Sequence, residues 1–148
     1  MENKKIEEIK NALKIARLDS FVDSLKDGLN TNVGEGGNAL SGGQKQRLSI
    51  ARAIAKNPEI YIFDDSFSAL DFKTDSALRK ALKQETSDST VLIVAQRIST
   101  ILHADQIIVL DEGKVVGKGT HNELLKNCEV YKQIALSQLS KEELENEQ

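Results

Sequence analysis

The stretch Leu40-Ser41-Gly42-Gly43-Gln44-Lys45-Gln46-Arg47 stands directly before a run of apolar residues with helical spacing. Ser41 followed three residues later by Gln44 has the spacing of a capping box, in which each of the two side chains satisfies a backbone N–H group of the other residue. The apolar residues of the following stripe are Leu48, Ala51, Ile54 and Ala55. This pattern predicts a helix that begins at Ser41 and ends at Asn57-Pro58.

The first turn of this helix has the composition of a phosphate-binding site. Gly42 and Gly43 carry no side chain, so a ligand can approach their backbone closely. The unpaired N–H groups and the positive end of the helix dipole attract an anion. Taken alone, the pattern is explained equally well by a well-capped helix without a ligand, because capping boxes are common and each contributes about 1 kcal/mol.

A short apolar strand that ends in two carboxylates follows the helix. Residues 59–65 read EIYIFDD. Such a run is typical of a strand that is buried on both faces in a parallel sheet. Asp64 and Asp65 would then lie at the carboxyl end of the strand, where ligands bind in α/β folds.

The rest of the chain alternates between helical and strand patterns. We expect helices near residues 7–18, 77–82, 120–125 and 130–139, and strands over residues 90–95, 106–110 and from 115 onward. Thr120 and Glu123 form a second capping box, and residues 111–114 form a hairpin turn. Parallel strands joined through helices indicate an α/β sheet.

Composition excludes several classes of function for these 148 residues. A net charge of −3 from 20 basic and 23 acidic residues gives no basic field for nucleic acid. Cys128 is the one cysteine, so no internal disulfide forms, which fits a reducing compartment. No apolar run approaches the length of about 18 residues that a membrane span needs, and no signal peptide is apparent.

Three motifs in this order resemble the nucleotide-binding domain of an ATP-binding cassette (ABC) protein. They are the helix-opening LSGGQ, the strand that ends at Asp64, and the segment Ser68, Ala69, Leu70, Asp71. In that family they are the signature motif, the Walker B strand and the D-loop. The resemblance extends from about Ile9 to Leu139 and implies an α/β, P-loop NTPase-like cassette with a signature helical subdomain, later parallel strands, and a C-terminal hairpin and helices.

The phosphate-binding P-loop pattern G-x-x-x-x-G-K-[ST] (Walker A) does not occur in the printed sequence. The chain therefore resembles the C-terminal part of one nucleotide-binding domain over residues 1–139, followed by a charged tail over residues 140–148. The upstream adenine-stacking aromatic residue and the glutamine loop of the family would lie before Met1. A chain without the P-loop core is expected to expose a sheet edge and apolar surface.

The resemblance implies ATP and Mg²⁺ as cofactors and a second nucleotide-binding domain as partner. In the family, two cassettes pair head to tail and each ATP lies between the Walker B strand of one cassette and the signature of the other. The residues that would bind the partner's nucleotide are Ser41, Gly42, Gly43 and Gln44. Asp71 is expected to shape the dimer interface rather than to perform chemistry.

The resemblance also identifies the residues of the chain's own ATP site. Asp64 would hold Mg²⁺, and Asp65 and Gln96 occupy the two catalytic positions. Both depart from the usual family residues, which are glutamate and histidine. A shorter carboxylate misplaces the attacking water, and a glutamine amide cannot carry a proton at neutral pH. The pair resembles the degenerate site of heterodimeric ABC exporters, which binds ATP but hydrolyses it poorly.

The loop from Thr31 to Gly37 resembles the X-loop through which ABC exporters contact their transmembrane domains, although an ordinary glycine-rich turn explains it too. The exporter interpretation implies an ATPase motor at the cytoplasmic face of a membrane. One alternative is a non-catalytic module that docks on a partner cassette. Another is a DNA-maintenance or translation ATPase of the same superfamily, against which the acidic surface and the lack of long heptads argue. The transported substrate is not encoded in this part of a transporter.

Overall fold

A computed structural model of the chain describes residues 2–139, with side chains from Lys5 onward. The described residues form two compact units that divide between Val94 and Ala95. The first unit contains α1 (Glu2–Ile15), α2 (Asp19–Ser24), α3 (Gly42–Lys56), β1 (Ile60–Asp64), α4 (Phe72–Glu85) and β2 (Thr90–Val94), with 3-10 turns at Gly28–Asn30 and Glu35–Gly37. The second contains α5 (Ile98–Ile101), β3 (Ile107–Asp111), β4 (Lys114–Gly119), α6 (His121–Asn127) and α7 (Glu129–Gln138). The predicted tail over residues 140–148 lies outside the described residues.

Helix α3 begins and ends where the sequence predicts. Ser41 is its N-cap and forms the complete capping box with Gln44. At the other end Asn57 adopts a left-handed conformation with φ of 44°, which stops the helix before Pro58. The buried stripe of α3 consists of Ile50, Ala51 and Ile54. This stripe packs into the core of the first unit, against α1 in particular.

Strands β1 and β2 form a parallel pair joined through α4. Their register runs from Ile60 opposite Thr90 to Asp64 opposite Val94. The alternation of β1 points Tyr61 and Phe63 into the core, where their rings stack with centroids 5.9 Å apart. The core of this unit is completed by Ala12, Leu13, Ala16, Leu18, Ile50, Ala51, Ile54, Phe67, Leu70, Leu78 and Leu82. The carboxyl end of β1 is thus held against the helices.

The prediction that these two strands are buried on both faces is wrong for this chain. Ile60 and Ile62 are 61% and 67% exposed, and on β2 Leu92, opposite Ile62, and Val94, opposite Asp64, are each 52% exposed. The period of two in a strand sends these four side chains to one face, away from the aromatic core. Only the face that carries Tyr61 and Phe63 is covered by described helices. The apolar residues therefore predict the strands correctly but do not predict that the opposite face is exposed. The expected exposure of apolar surface is confirmed.

The second unit is a β-hairpin packed against helices. Strands β3 and β4 are antiparallel, with a register irregularity between Val109 and Leu110. The turn has positive φ at Glu112 (45°) and Gly113 (76°), the backbone of a two-residue hairpin loop whose twist matches the strands. The core of this unit consists of Ile98, Ile107, Val109, Leu124, Cys128, Tyr131 and Ala135.

Helix α6 begins with the second predicted capping box. Thr120 accepts the N–H of Glu123 on its hydroxyl, and the Glu123 carboxylate accepts the Thr120 N–H at 2.8 Å. His121 is buried, and its Nδ1 lies 2.7 Å from the Tyr131 hydroxyl on α7. The histidine therefore joins the two helices of this unit. Among residues 2–139, no helix combines the length and apolar character that crossing a lipid bilayer requires.

Candidate nucleotide-binding site

The first turn of α3 presents free backbone donors at an exposed position. The Ser41 N–H donates to the Gln44 side-chain oxygen at 2.8 Å, and the Gln44 N–H donates to the Ser41 hydroxyl oxygen at 3.3 Å. The capping box therefore uses the N–H groups on either side of Gly42 and Gly43. In a helix the N–H groups of these first positions have no intrahelical acceptor. They fit an anion, and the Ser41 hydroxyl proton can still be donated to it.

The D-loop segment (Ser68, Ala69, Leu70, Asp71) packs against these two glycines. A Cβ at Gly43 would lie 3.2 Å from the Ala69 carbonyl oxygen and 3.5 Å from a Leu70 methyl carbon. A Cβ at Gly42 would meet only the Ala69 Cβ at 3.7 Å. Glycine at position 43 is thus explained by close backbone approach within this chain, and glycine at position 42 leaves its outer surface open.

Gln46 binds the D-loop segment and was missed by the sequence-based assignment. Its side-chain oxygen accepts the Ala69 N–H at 2.9 Å, and its Nε2 donates to the Ser68 hydroxyl at 3.0 Å and to the Asp65 carbonyl at 3.3 Å. A polar residue one turn into an amphipathic helix looks like a solvated position. No sequence signal distinguishes a solvent-exposed glutamine at this position from one that contacts a loop about 20 residues further along the chain.

Arg47 adjoins the signature but binds another part of the first unit. Its guanidinium donates to the Arg17 carbonyl at 2.7 Å and to the Gly43 carbonyl at 3.3 Å. Arg17 has φ of 58° and turns the chain after α1. The charge of Arg47 is therefore engaged with backbone oxygens, which gives this side chain a structural role.

Asp64 and Asp65 lie at the carboxyl end of β1, as predicted, and both are exposed. Asp65 has φ of 47°, a left-handed conformation in which aspartate is enriched among non-glycine residues. Its N–H donates to the Val94 carbonyl at 3.0 Å, and its carbonyl accepts the Ser68 hydroxyl at 3.0 Å. The backbone of Asp65 is thus fixed from two sides while its carboxylate faces outward.

The two carboxylates are the ligand type that Mg²⁺ prefers, and their exposure leaves room for the waters that this ion keeps. Within residues 2–139 no group of three or more His, Cys, Asp or Glu side chains is arranged to hold a metal. The geometry fits an ion held by one or two carboxylates and by phosphate oxygens, rather than one enclosed by protein ligands alone. Asp64 therefore fits the role that the resemblance implies for it.

Asp71 closes the D-loop segment and caps α4. Its carboxylate accepts the Thr74 hydroxyl at 2.6 Å and the Thr74 N–H at 2.9 Å. The Thr74 hydroxyl, and after it the Thr74 N–H, hold the pKa of Asp71 below its usual value. The side chain is consequently a charged N-cap at neutral pH. Its expected contribution to a dimer interface stays a prediction.

Gln96 belongs to the second unit and is exposed, two residues after the end of β2. Its carbonyl accepts a hydrogen bond from the Gln138 side chain at 2.8 Å, and Gln138 also accepts the Ile98 N–H at 2.9 Å. Gln138 thus ties the backbone around Gln96 to α7. The Gln96 amide itself is left at the surface.

The loop over residues 31–37 has a defined backbone. The Asn32 side chain accepts the Gly34 N–H at 2.9 Å, and a 3-10 turn follows at Glu35–Gly37. Gly34, Gly36 and Gly37 all have positive φ, between 61° and 76°. The glycines are therefore explained by the tight turns of this loop, and most of its residues are exposed.

Comparison with known proteins agrees with this geometry. Residues 2–68 match the family described as ABC transporter. An uncharacterised ABC transporter ATP-binding protein of Mycobacterium tuberculosis (strain ATCC 25618 / H37Rv) is 51% identical over 132 residues, which are 89% of this chain and 22% of that protein. The ATP-dependent lipid A-core flippase of Francisella tularensis subsp. tularensis (strain SCHU S4 / Schu 4) is 46% identical over 133 residues, 90% of this chain and 22% of the flippase.

A solved structure of a bacterial Atm1-family ABC exporter with ATP bound matches with a TM-score of 0.86 at 38% identity. The match covers 91% of this chain and 24% of the exporter chain. Fold and site together define an ATP-binding cassette. The chain belongs to the ABC transporter family, and the predicted α/β cassette fold is confirmed. It spans about a fifth of the length of the curated relatives that it matches.

Proposed function

We propose that this chain is part of the nucleotide-binding domain of an ABC exporter and that the whole protein couples ATP to transmembrane transport. The observation that carries the proposal is the first turn of α3, capped by Ser41 and Gln44 and packed on the D-loop segment. Similarity to a flippase and to an ATP-bound exporter structure supports the exporter class.

In this proposal the signature turn serves an ATP held by a partner cassette. The Ser41 hydroxyl and the Gly42 and Gly43 N–H groups donate to the γ-phosphate, and Gln44 fixes the turn in the geometry that presents them. Such donors stabilise phosphate charge without reorganising during the reaction. The second nucleotide-binding domain is therefore an obligatory partner, because these groups reach no nucleotide without it.

Asp64 and Asp65 would serve the chain's own ATP. Mg²⁺, when bound, neutralises charge on the phosphates. Asp64 would hold the ion by its exposed carboxylate, and the resemblance assigns to Asp65 and Gln96 the orientation of the attacking water and of the γ-phosphate. Since Asp65 is one methylene shorter than glutamate and Gln96 cannot become a cation, we propose a site that binds ATP but turns it over slowly. The partner subunit of a heterodimer would then supply the faster site.

The remaining partner of the proposed exporter is its transmembrane domain, contacted through the exposed loop over residues 31–37. Its charged residue is Glu35, and its backbone is held by internal hydrogen bonds. In this proposal the cassette lies at the cytoplasmic face of a membrane. Nucleic acid is not a proposed partner, because the net charge of −3 offers no attraction to it.

The proposal is tested by Gly42→Asp in the complete transporter dimer. The added carboxylate lies where a phosphate would bind, so we expect ATP turnover to fall by about 100-fold or more. Gly42→Asn has nearly the same shape without the charge and should lose less activity. Equal turnover by wild type and Gly42→Asp would contradict a signature role in the partner's site.

The slow-site hypothesis has its own test. Asp65→Glu combined with Gln96→His should raise ATP turnover at this chain's own site, measured in a dimer whose other site is inactivated. Both changes are combined because each restores a different group. An unchanged rate, with ATP still bound, would count against the hypothesis of a degenerate site while leaving the exporter assignment intact.

A further inference from the structure

Gln46 uses both ends of its side-chain amide on the D-loop side of the site. The oxygen accepts from Ala69, and the nitrogen donates to Ser68 and to the carbonyl of Asp65. The donors and acceptors it meets are spread over five residues, from the catalytic position to the middle of the D-loop. One side chain of the signature helix therefore binds three residues of the link between β1 and α4, a link that Phe67 and Leu70 also anchor in the core.

The two ends of this link are fixed differently. Asp65 leaves β1 in a left-handed conformation, with its N–H bound to Val94. Asp71 ends the link as the N-cap of α4. Ser68 and Ala69, which lie between those ends, are exposed, and Gln46 binds them both. The position of the exposed middle of the link thus depends on α3.

We propose that Gln46 is a positioning residue for ATP hydrolysis, which locks the D-loop segment and the Asp65 carbonyl to the signature helix. The inference rests on the proposed function. In a head-to-tail dimer the first turn of α3 faces the partner's ATP, and Asp64 and Asp65 face the chain's own. Gln46 lies one turn into α3 and joins these two places within one chain. Movement of the signature turn on the partner's nucleotide is therefore carried to the catalytic position of the other site.

Only an amide suits this position. Asp65 offers a carbonyl oxygen and Ala69 offers an N–H, so the side chain between them must donate at one atom and accept at another. Glutamate places an anionic oxygen against the Asp65 carbonyl, and lysine leaves the Ala69 N–H without its acceptor. Methionine has a similar length and volume but neither a strong donor nor a strong acceptor, which makes Gln46→Met the informative change.

The experiment uses the complete transporter dimer, with hydrolysis at the other ATP site inactivated so that turnover reports on this chain's own site, and compares Gln46→Met with Gln84→Met. Gln84 is an exposed glutamine on α4 and provides the same chemical change outside the site. Turnover number, the ATP concentration for half-maximal rate, the Kd of a fluorescent ATP analogue, and Tm are measured for each. Ser68→Ala is the second variant, because it removes one partner of Gln46 without changing α3.

We expect Gln46→Met to lower turnover about 10-fold. Displacement of a reacting group by about 1 Å costs roughly 100-fold, and the loss of these hydrogen bonds should displace Asp65 by less than that. The Kd for the ATP analogue should stay within about twofold of wild type, because Gln46 does not touch the signature donors. Ser68→Ala should lose a smaller part of the rate, and Gln84→Met should match wild type.

Turnover within twofold of wild type for Gln46→Met would overturn the inference. A loss that disappears when rates are expressed per folded dimer would overturn it as well, since the role would then be structural. Failure of the proposed function is distinguished by Gly42→Asp. If Gly42→Asp keeps full activity, the signature assignment fails, whereas an inactive Gly42→Asp with an active Gln46→Met refutes the positioning role alone.

Discussion

Replacing Gly117 by alanine tests the packing of the second unit most directly. A Cβ at this position of β4 would lie 2.7 Å from the Cys128 sulfur, 3.0 Å from a Leu124 methyl carbon and 3.2 Å from the Cys128 Cβ. Leu124 and Cys128 are both buried, so neither can turn into solvent. The strand or α6 must therefore shift to admit the methyl group.

Overpacking of this kind costs about 1 to 3 kcal/mol. With three contacts shorter than ordinary van der Waals distance, we expect Gly117→Ala to lower the free energy of unfolding by about 2 kcal/mol. Chemical denaturation followed by circular dichroism measures this change. Gly42→Ala is the matched control for stability, because its Cβ has only a 3.7 Å contact and should change the free energy by less than about 0.5 kcal/mol.

A double-mutant cycle with Cys128→Ala identifies the contact responsible. Removing the sulfur eliminates the shortest of the three distances but leaves the Cys128 Cβ in place. The double variant should therefore be more stable than the sum of the single changes predicts, by at least about 0.5 kcal/mol. A Gly117→Ala protein as stable as wild type, or strict additivity in the cycle, would refute the packing argument.

Two further predictions concern titrating groups in the first unit. The Tyr61 hydroxyl is buried without a hydrogen-bond partner among the described residues, so Tyr61→Phe should stabilise the protein by about 1 kcal/mol in urea denaturation. Burial, and then the nearby Glu85 charge, raise the pKa of Tyr61 above 10.0, so wild-type stability should fall as the pH rises above 10.0, and the Phe variant should fall less. The pKa of Asp71 is lowered by Thr74, so its contribution is present above the usual aspartate pKa of 3.8 and is lost as the pH falls through the folded value. Asp71→Asn should keep the cap and weaken the dependence of urea midpoints on pH below 3.8; an unchanged acid dependence would contradict this.

Local signals predicted the elements of this fold well. The capping boxes at Ser41 and Thr120, the strand that ends at Asp64 and the turn at Gly113 each depend on residues close in sequence. Such signals follow from backbone geometry and hydrogen bonding within one turn or strand, so a single sequence contains them. The motifs of the candidate site were located for the same reason.

Contacts between distant segments were not predictable in this way. The covering of β1 depends on which elements pack on each face, and the apolar character of Ile60 and Ile62 is the same in either case. Gln46 reaches residues 19 to 23 positions away, and Arg47 reaches one 30 positions away. Polar helix residues with these long-range contacts have no local pattern to distinguish them from solvated ones.

The two capping boxes differ in one respect that affects what their helices can attract. The box of α6 is closed by Glu123, and hydrogen bonds from Thr120, its backbone N–H first, keep the pKa of that carboxyl low and its charge negative. The box of α3 is closed by the neutral amide of Gln44. In α6 the Glu123 charge therefore offsets the positive end of the helix dipole. In α3 the Gln44 amide accepts the equivalent backbone N–H group without offsetting that positive potential. An incoming anion meets an attractive field at Gly42 because this cap is an amide and not an acid.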